Sequence, residues 1–127
     1  MTRQDEHNEQ VKLFAWAHWA GIDHPELSLM FAIPNGGRRD AVTGARLKEE
    51  GVKAGVPDVF LPVIRQGLGG LFIELKAGTN KPSAKQSQWL DELRRAGYAA
   101  EAAWGAEEAK TLIMRYLEGG YIDSYER

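Results

Sequence analysis

Asp58, then Glu74 sixteen positions on, then Lys76 after one intervening leucine form the set most suited to chemistry in this chain. Across Gly70–Lys76, Leu71, Ile73 and Leu75 alternate with Phe72, Glu74 and Lys76, the period of a strand. Glu74 and Lys76 therefore project side by side from one face. A carboxylate and an ammonium among strongly apolar neighbours are costly unless they pair or bind something. If the chain folds back near residues 66–68, Asp58 lands opposite residues 74–77, and all three side chains converge when the register puts Asp58 on their face. Two carboxylates and a lysine meet the needs of metal-assisted phosphodiester hydrolysis. Mg²⁺ prefers oxygen ligands and lowers the pKa of a bound water. A nearby ammonium can position that water or offset charge on the phosphoryl group. A surface ion pair of small energetic worth is the plainer alternative for Glu74 and Lys76 taken by themselves. Zinc is a poor fit, because His7, His18 and His24 show no ligand spacing and the chain has no cysteine.

The elements that must hold these residues read as follows. Glu6 to Ala20 has helical periodicity, with Val11, Phe14, Ala15 and His18 on one face, widened by Leu13, Trp16 and Ala17, and Gly21 as the stop. Leu29–Ile33 is a strand candidate, and Pro34–Gly37 is a loop. Ala41–Glu50 reads as a short helix ended by Gly51. Asp58–Ile64 reads as a strand in which Pro62 signals an edge or a bulge. A glycine-rich turn at Arg65–Gly69 leads into the Gly70–Lys76 strand. Ser83–Ala96 is helical, with Ser83 as N-cap and Gly97 as stop. Tyr98–Trp104 is a last strand, and Ala106–Leu117 is a last helix with Ala109, Leu112, Ile113 and Tyr116 as its apolar stripe. This order describes an α/β domain with a mixed β-sheet and helices on its faces.

The 127 residues suit one domain, with a core at about 6–118 and a polar tail at 119–127. No run is apolar and long enough for a leader or a membrane span, so a soluble cytoplasmic protein with no membrane partner is expected. Net charge is −2, yet residues 34–96 hold eleven Lys/Arg against seven Asp/Glu. A basic middle inside an acidic whole can bind phosphate locally, and a solvated mixed-charge surface would read the same way. Asn35-Gly36-Gly37-Arg38-Arg39 is a candidate DNA-contacting loop, since glycines allow close backbone approach and arginines grip phosphate. Lys48, Lys53, Lys81 and Lys85 are further candidate phosphate contacts. Trp16, Trp19, Trp89 and Trp104 fit core or interface roles better than base stacking. Trp16, Trp19, Tyr121 and Tyr125 are candidates for a dimer interface.

Pro57-Asp58 followed by Glu74-Leu75-Lys76 resembles the PD-(D/E)XK nuclease signature. Gly51-Val-Lys-Ala-Gly-Val-Pro-Asp58, Gly70-Leu-Phe-Ile-Glu-Leu-Lys76, and Gln86-Ser-Gln-Trp89 ahead of Leu93-Arg-Arg-Ala-Gly-Tyr98 are similar to the VRR-NUC (virus-type replication-repair nuclease) family. The likeness runs from about Glu9 to Tyr116. It implies a restriction-endonuclease-like fold, Mg²⁺ dependence with Mn²⁺ as substitute, and DNA phosphodiester hydrolysis. It also implies a homodimer of the stand-alone bacterial or phage type, selective for branched DNA such as four-way (Holliday) junctions. The family's first-helix acidic metal ligand matches Glu9, with Glu6 one turn earlier as runner-up. Its glutamine after the Glu-x-Lys strand matches Gln86 better than Gln88. Asp58, Glu74, Lys76 and Gln86 are thus the expected catalytic residues, and Glu9, Asp58 and Glu74 the expected metal ligands. A DNA-binding module that has lost cleavage is the alternative.

Overall fold

The computed structural model describes residues 3–34 and 41–123. The candidate loop residues Asn35, Arg38 and Arg39, and Tyr125, lie outside the described residues. Helix α1 (Arg3–Ala20) is followed by a short 3-10 helix (Pro25–Leu29) and strand β1 (Phe31–Ala32). Helix α2 (Ala41–Glu49) precedes β2 (Val59–Leu61) and β3 (Leu71–Lys76). Then come α3 (Ala84–Arg95), β4 (Ala99–Trp104) and α4 (Gly105–Leu117). The strands form one mixed sheet in the order β1-β2-β3-β4. The first two pairings are antiparallel and the last is parallel. The restriction-endonuclease-like α/β architecture is as expected, a mixed sheet flanked by helices.

Local chemistry explains most boundaries. β2 ends just before Pro62, which has no N–H to offer a ladder. β2 and β3 are joined by a tight link in which Arg65 pairs with Leu68. Gly70 enters β3 at φ 148°, and a Cβ there would lie 2.6 Å from the Phe60 ring. The glycine is what lets the strand pass so close beneath that ring. α3 starts with a reciprocal capping box, in which Ser83 Oγ accepts from Gln86 N–H and Gln86 Oε1 accepts from Ser83 N–H. The expected strand at Leu29–Ile33 is shorter, because Pro25–Leu29 closes into a 3-10 turn first.

The main core lies against one face of the sheet. Leu71, Ile73 and Leu75 of β3 join Val59 and Leu61 of β2, Leu13 and Ala17 of α1, and Ala109, Ile113 and Tyr116 of α4. Leu90 of α3 and Ala100 of β4 are buried outside that cluster. The α1 stripe differs from the expected one. Leu13 and Ala17 are buried, whereas Val11 is 55% exposed and Ala15 and His18 face solvent. Apolar residues surround this helix, so periodicity alone could not choose the face. Trp19 is 70% exposed, and Trp16 packs partly buried on the core. The segment after α4, expected as a polar tail, folds back. Tyr121 is buried, its hydroxyl donates to Glu101, and its backbone N–H donates to Gln66. Tyr121 is thereby used inside the molecule and is not a surface for a second copy. Among the described residues, no helix is long and apolar enough to cross a membrane.

Candidate active site

The register between β2 and β3 decides which groups meet. Val59 pairs with Ile73 and Phe60 with Phe72, which sets Asp58 across from Glu74, one step beyond the named strand. Directly opposed residues share a face, so Asp58 joins Glu74 and Lys76 on the side away from the main core. Asp58 is anchored twice. Its carbonyl accepts from Ile33 N–H at 2.7 Å, and its Oδ2 accepts from Leu75 N–H at 2.8 Å. The carboxylate thus takes over a β3 backbone donor, and it interacts with the Glu74 carboxyl across from it.

Glu74 is 1% exposed and Lys76 is 6% exposed. Lys76 Nζ lies 3.4 Å from Glu74 Oε2 and 3.9 Å from Glu6 Oε2. Burial, and then the neighbouring Asp58 charge, push the Glu74 carboxyl up to about 8. Burial also raises Asp58, against the lowering effect of the Leu75 N–H. Two carboxyls this close, in low dielectric, cannot both ionise without a compensating cation. Glu74 Oε1 is a buried oxygen with no hydrogen-bond partner. Such an atom is expensive to leave unmet, and a cation would satisfy it. Among the described residues, no three His, Asp or Glu side chains form a ready metal cage. That arrangement is compatible with Mg²⁺, which commonly takes one or two protein carboxylates and keeps waters and substrate oxygens as its other ligands.

The first helix supplies Glu6 to this cluster. Its Oε2 accepts from Asn80 Nδ2 at 2.9 Å, and the Asn80 carbonyl accepts from Trp104 Nε1 at 2.7 Å. Glu9, the expected metal ligand, is placed elsewhere. Its Oε1 accepts from Ala106 N–H at 2.9 Å and its Oε2 pairs with Lys12 at 3.0 Å. Those two donors, the Ala106 N–H first, hold its carboxyl below the usual range. Glu9 therefore caps the start of α4, where the helix dipole favours a negative charge. Gln86, expected at the catalytic centre, is engaged by Ser83 in the α3 capping box.

Three of the four candidate phosphate contacts come together. Lys48, Lys53 and Lys85 line one groove with Leu47, Val52 and Trp89. Trp89 is fixed there by its Nε1, which donates to the Ala54 carbonyl at 3.1 Å. Lys81 is exposed on the link between β3 and α3, outside that groove. The sequence reading missed two features of the face. Asn80, which orients Glu6, carries no sequence signal. An aromatic row of Phe31, Phe60 and Phe72, with Tyr98 against it, lies beside the carboxylates. Its signal was available in the period of two that puts Phe60 with Asp58 and Phe72 with Glu74.

Comparison with known proteins agrees with the fold and the motif order. The family model of the VRR-NUC domain matches residues 7–107. A solved structure described as a VRR_NUC domain protein superposes with a TM-score of 0.77 at 24% identity, covering 100% of this chain and 99% of that one. No curated protein matches the chain.

Proposed function

The chain belongs to the VRR-NUC domain family, and on that premise we propose a Mg²⁺-dependent DNA endonuclease whose catalytic set is Asp58, Glu74 and Lys76. At the coarse level the family makes it a nuclease-type, DNA-processing hydrolase, so DNA is its substrate. The observation that carries the finer reading is half-buried Asp58 across from buried Glu74, whose Oε1 has no hydrogen-bond partner and whose Oε2 lies 3.4 Å from Lys76 Nζ.

Asp58 and Glu74 would hold Mg²⁺, which supplies Lewis acidity toward a phosphate oxygen and a more acidic water. The chain's own residues then have separate tasks. Leu75 N–H fixes the Asp58 carboxylate before any substrate arrives, so little reorganisation is needed later. Glu74 gives up its proton when a cation takes its place. Lys76 orients the attacking water and offsets charge growing on the phosphoryl oxygens. Glu6, tied to Asn80, holds the Lys76 ammonium from the other side. Hydrolysis proceeds without a covalent enzyme intermediate. Lys48, Lys53 and Lys85 grip the backbone away from the cut, with Lys81, Arg38 and Arg39 as further contacts. Residues 1–127 act as one domain. Branched DNA such as a four-way junction is the favoured substrate, since two copies about a two-fold axis can make paired cuts in a symmetric junction. The place of action is the cytoplasm of a bacterial or phage-infected cell.

The test is cleavage of a labelled panel of four-way junction, flap, single strand and linear duplex. It is run with Mg²⁺, Mn²⁺ or EDTA, for the wild type and Lys76→Ala. Metal-dependent cutting that disappears in Lys76→Ala is expected. Binding of DNA with no cutting of any member would replace this reading with a non-catalytic DNA-binding module.

A further inference from the structure

On one face of the sheet the side chains stand in rows. Ile33, Asp58, Glu74 and Ala102 form one row, and Phe31, Phe60, Phe72 and Ala100 form the next. The second row is two residues along each strand from the first, about 7 Å away. That is roughly two base steps of rise in duplex DNA. DNA whose phosphate lies on Asp58 and Glu74 and whose backbone runs along the strands would set neighbouring nucleotides over or beside the aromatic row.

The rings of that row are not equivalent. Phe60 and Phe72 stack at 4.1 Å between centroids, with 19° between planes. Tyr98 meets both of them edge-on, at 75° and 79°. β2 lies between β1 and β3, so one face of Phe60 is covered by Phe72 and its other face looks toward Phe31. Phe31 meets it at 85° with 5.8 Å between centroids, a T-shaped contact. Among the described residues no ring stacks on Phe31, and Phe31 is 48% exposed while the other three rings are half-buried. Phe31 is thus an exposed ring in contact with Phe60, without a stacked ring partner, on an edge strand one strand from Asp58.

We propose that Phe31 is a nucleobase-stacking residue that takes a base lacking a stacked neighbour on one side, from the strand whose phosphate lies on Asp58 and Glu74. The proposal rests on the nuclease reading above and adds to it the residue that would select a base whose stack is open. In a continuous duplex each base is already stacked on both sides, and freeing one costs a few kcal/mol. At a branch point that cost is already met, and an aromatic ring becomes a ready partner. The size of the patch also favours a base over a second copy of the chain. A Phe side chain carries about 150–250 Å² of surface, so Phe31 offers about 100 Å² and the whole row a few hundred at most. A stable protein interface takes about 800 Å² from each partner.

The experiment uses the whole chain in metal-free buffer, so that binding is read without cleavage. The probes are a four-way junction with 2-aminopurine at the branch point and a linear duplex with 2-aminopurine at its centre. The wild type is expected to quench the branch-point fluorophore, as stacking does, and to leave the duplex signal unchanged. Phe31→Ala should lose that quench and bind the junction about tenfold more weakly, with duplex affinity unchanged. Phe31→Trp should restore both. An equal loss of affinity for junction and duplex, or no loss for either, overturns the proposal. Sedimentation of wild type and Phe31→Ala is measured alongside, and a dimer that falls apart in the variant would assign the ring to a second copy instead. A separate Mg²⁺ cleavage assay of the wild type keeps failure of the nuclease reading distinguishable from failure of the stacking one.

Discussion

At the scale of single residues, Glu74 carries the sharpest consequence. Its carboxyl is pushed from the ordinary value of 4.5 up to about 8 by burial and by Asp58. Between those two values the folded chain holds a proton that the unfolded chain has released. Unfolding free energy then falls as pH rises through that window. The metal-free protein is expected to melt at a lower temperature at about pH 8 than at about pH 5, by calorimetry. Glu74→Gln should flatten that slope while abolishing cleavage, and an unchanged slope would remove Glu74 as its source. Metal binding displaces the same proton, so Mg²⁺ affinity should climb with pH, by up to about tenfold per unit, and level off above about 8. Glu6 belongs to this scale too. Glu6→Ala should slow cleavage by about 10–100-fold with little change in melting temperature, because it acts through Lys76. Wild-type turnover in that variant would leave Lys76 positioned by Glu74 alone.

Elements decide what the remaining polar residues do. Glu9 caps α4 and Gln86 closes the α3 capping box, and both are tied to backbone N–H groups rather than to the cluster. Glu9→Ala and Gln86→Ala are each expected to cost about 1 kcal/mol in denaturant titration and to leave cleavage near wild type. Cleavage lost in either variant, with stability intact, would return that residue to the catalytic set. The β2–β3 pairing is the other decisive element. A slip of one residue would turn Asp58 to the opposite face. Pro62 at the end of β2, the tight Arg65–Leu68 link and the close passage of Gly70 under Phe60 hold the register in place. Much of this was legible. The alternation in 70–76 and the Ser83 cap follow from rules that involve only near neighbours in sequence, whereas the strand expected to reach Ile64 past Pro62 ends at Leu61. The 3-10 turn at Pro25–Leu29 and the buried stripe of α1 do not follow from such rules, since they depend on which surfaces arrive from elsewhere.

For the molecule as a whole, the sheet separates two environments. Its α1 and α4 side holds the apolar core, and its other side holds the carboxylates, the lysine and the aromatic row. The chain is acidic overall, and the groove of Lys48, Lys53 and Lys85 gathers positive charge from residues far apart in sequence. Among the described residues, none of these three makes an ion pair. Replacing each by Ala should weaken DNA binding evenly across substrates and shrink the slope of log affinity against log salt by about one. A slope that stays at the wild-type value in the triple variant would mean that the groove does not carry phosphate. The returning C-terminal segment is held by Tyr121 on Glu101, with Arg94 between Asp91, Glu101 and Asp123. It ties the parallel edge of the sheet to α3.

The sequence by itself determined the α/β order and the strand that carries Glu74 and Lys76. Each follows from a period, a turn residue or a spacing that nearby residues enforce. The β2–β3 register alone placed Asp58 on their face. Only the tertiary structure gives Glu6 and Glu9 different partners. Both sit on α1, three residues apart, and nothing local tells them apart. The packing of α1 across the ends of β3 and α4 brings Glu6 to Lys76 and Glu9 to the Ala106 N–H. The same holds for the aromatic row, which forms because the register sets Phe31, Phe60 and Phe72 side by side across three strands.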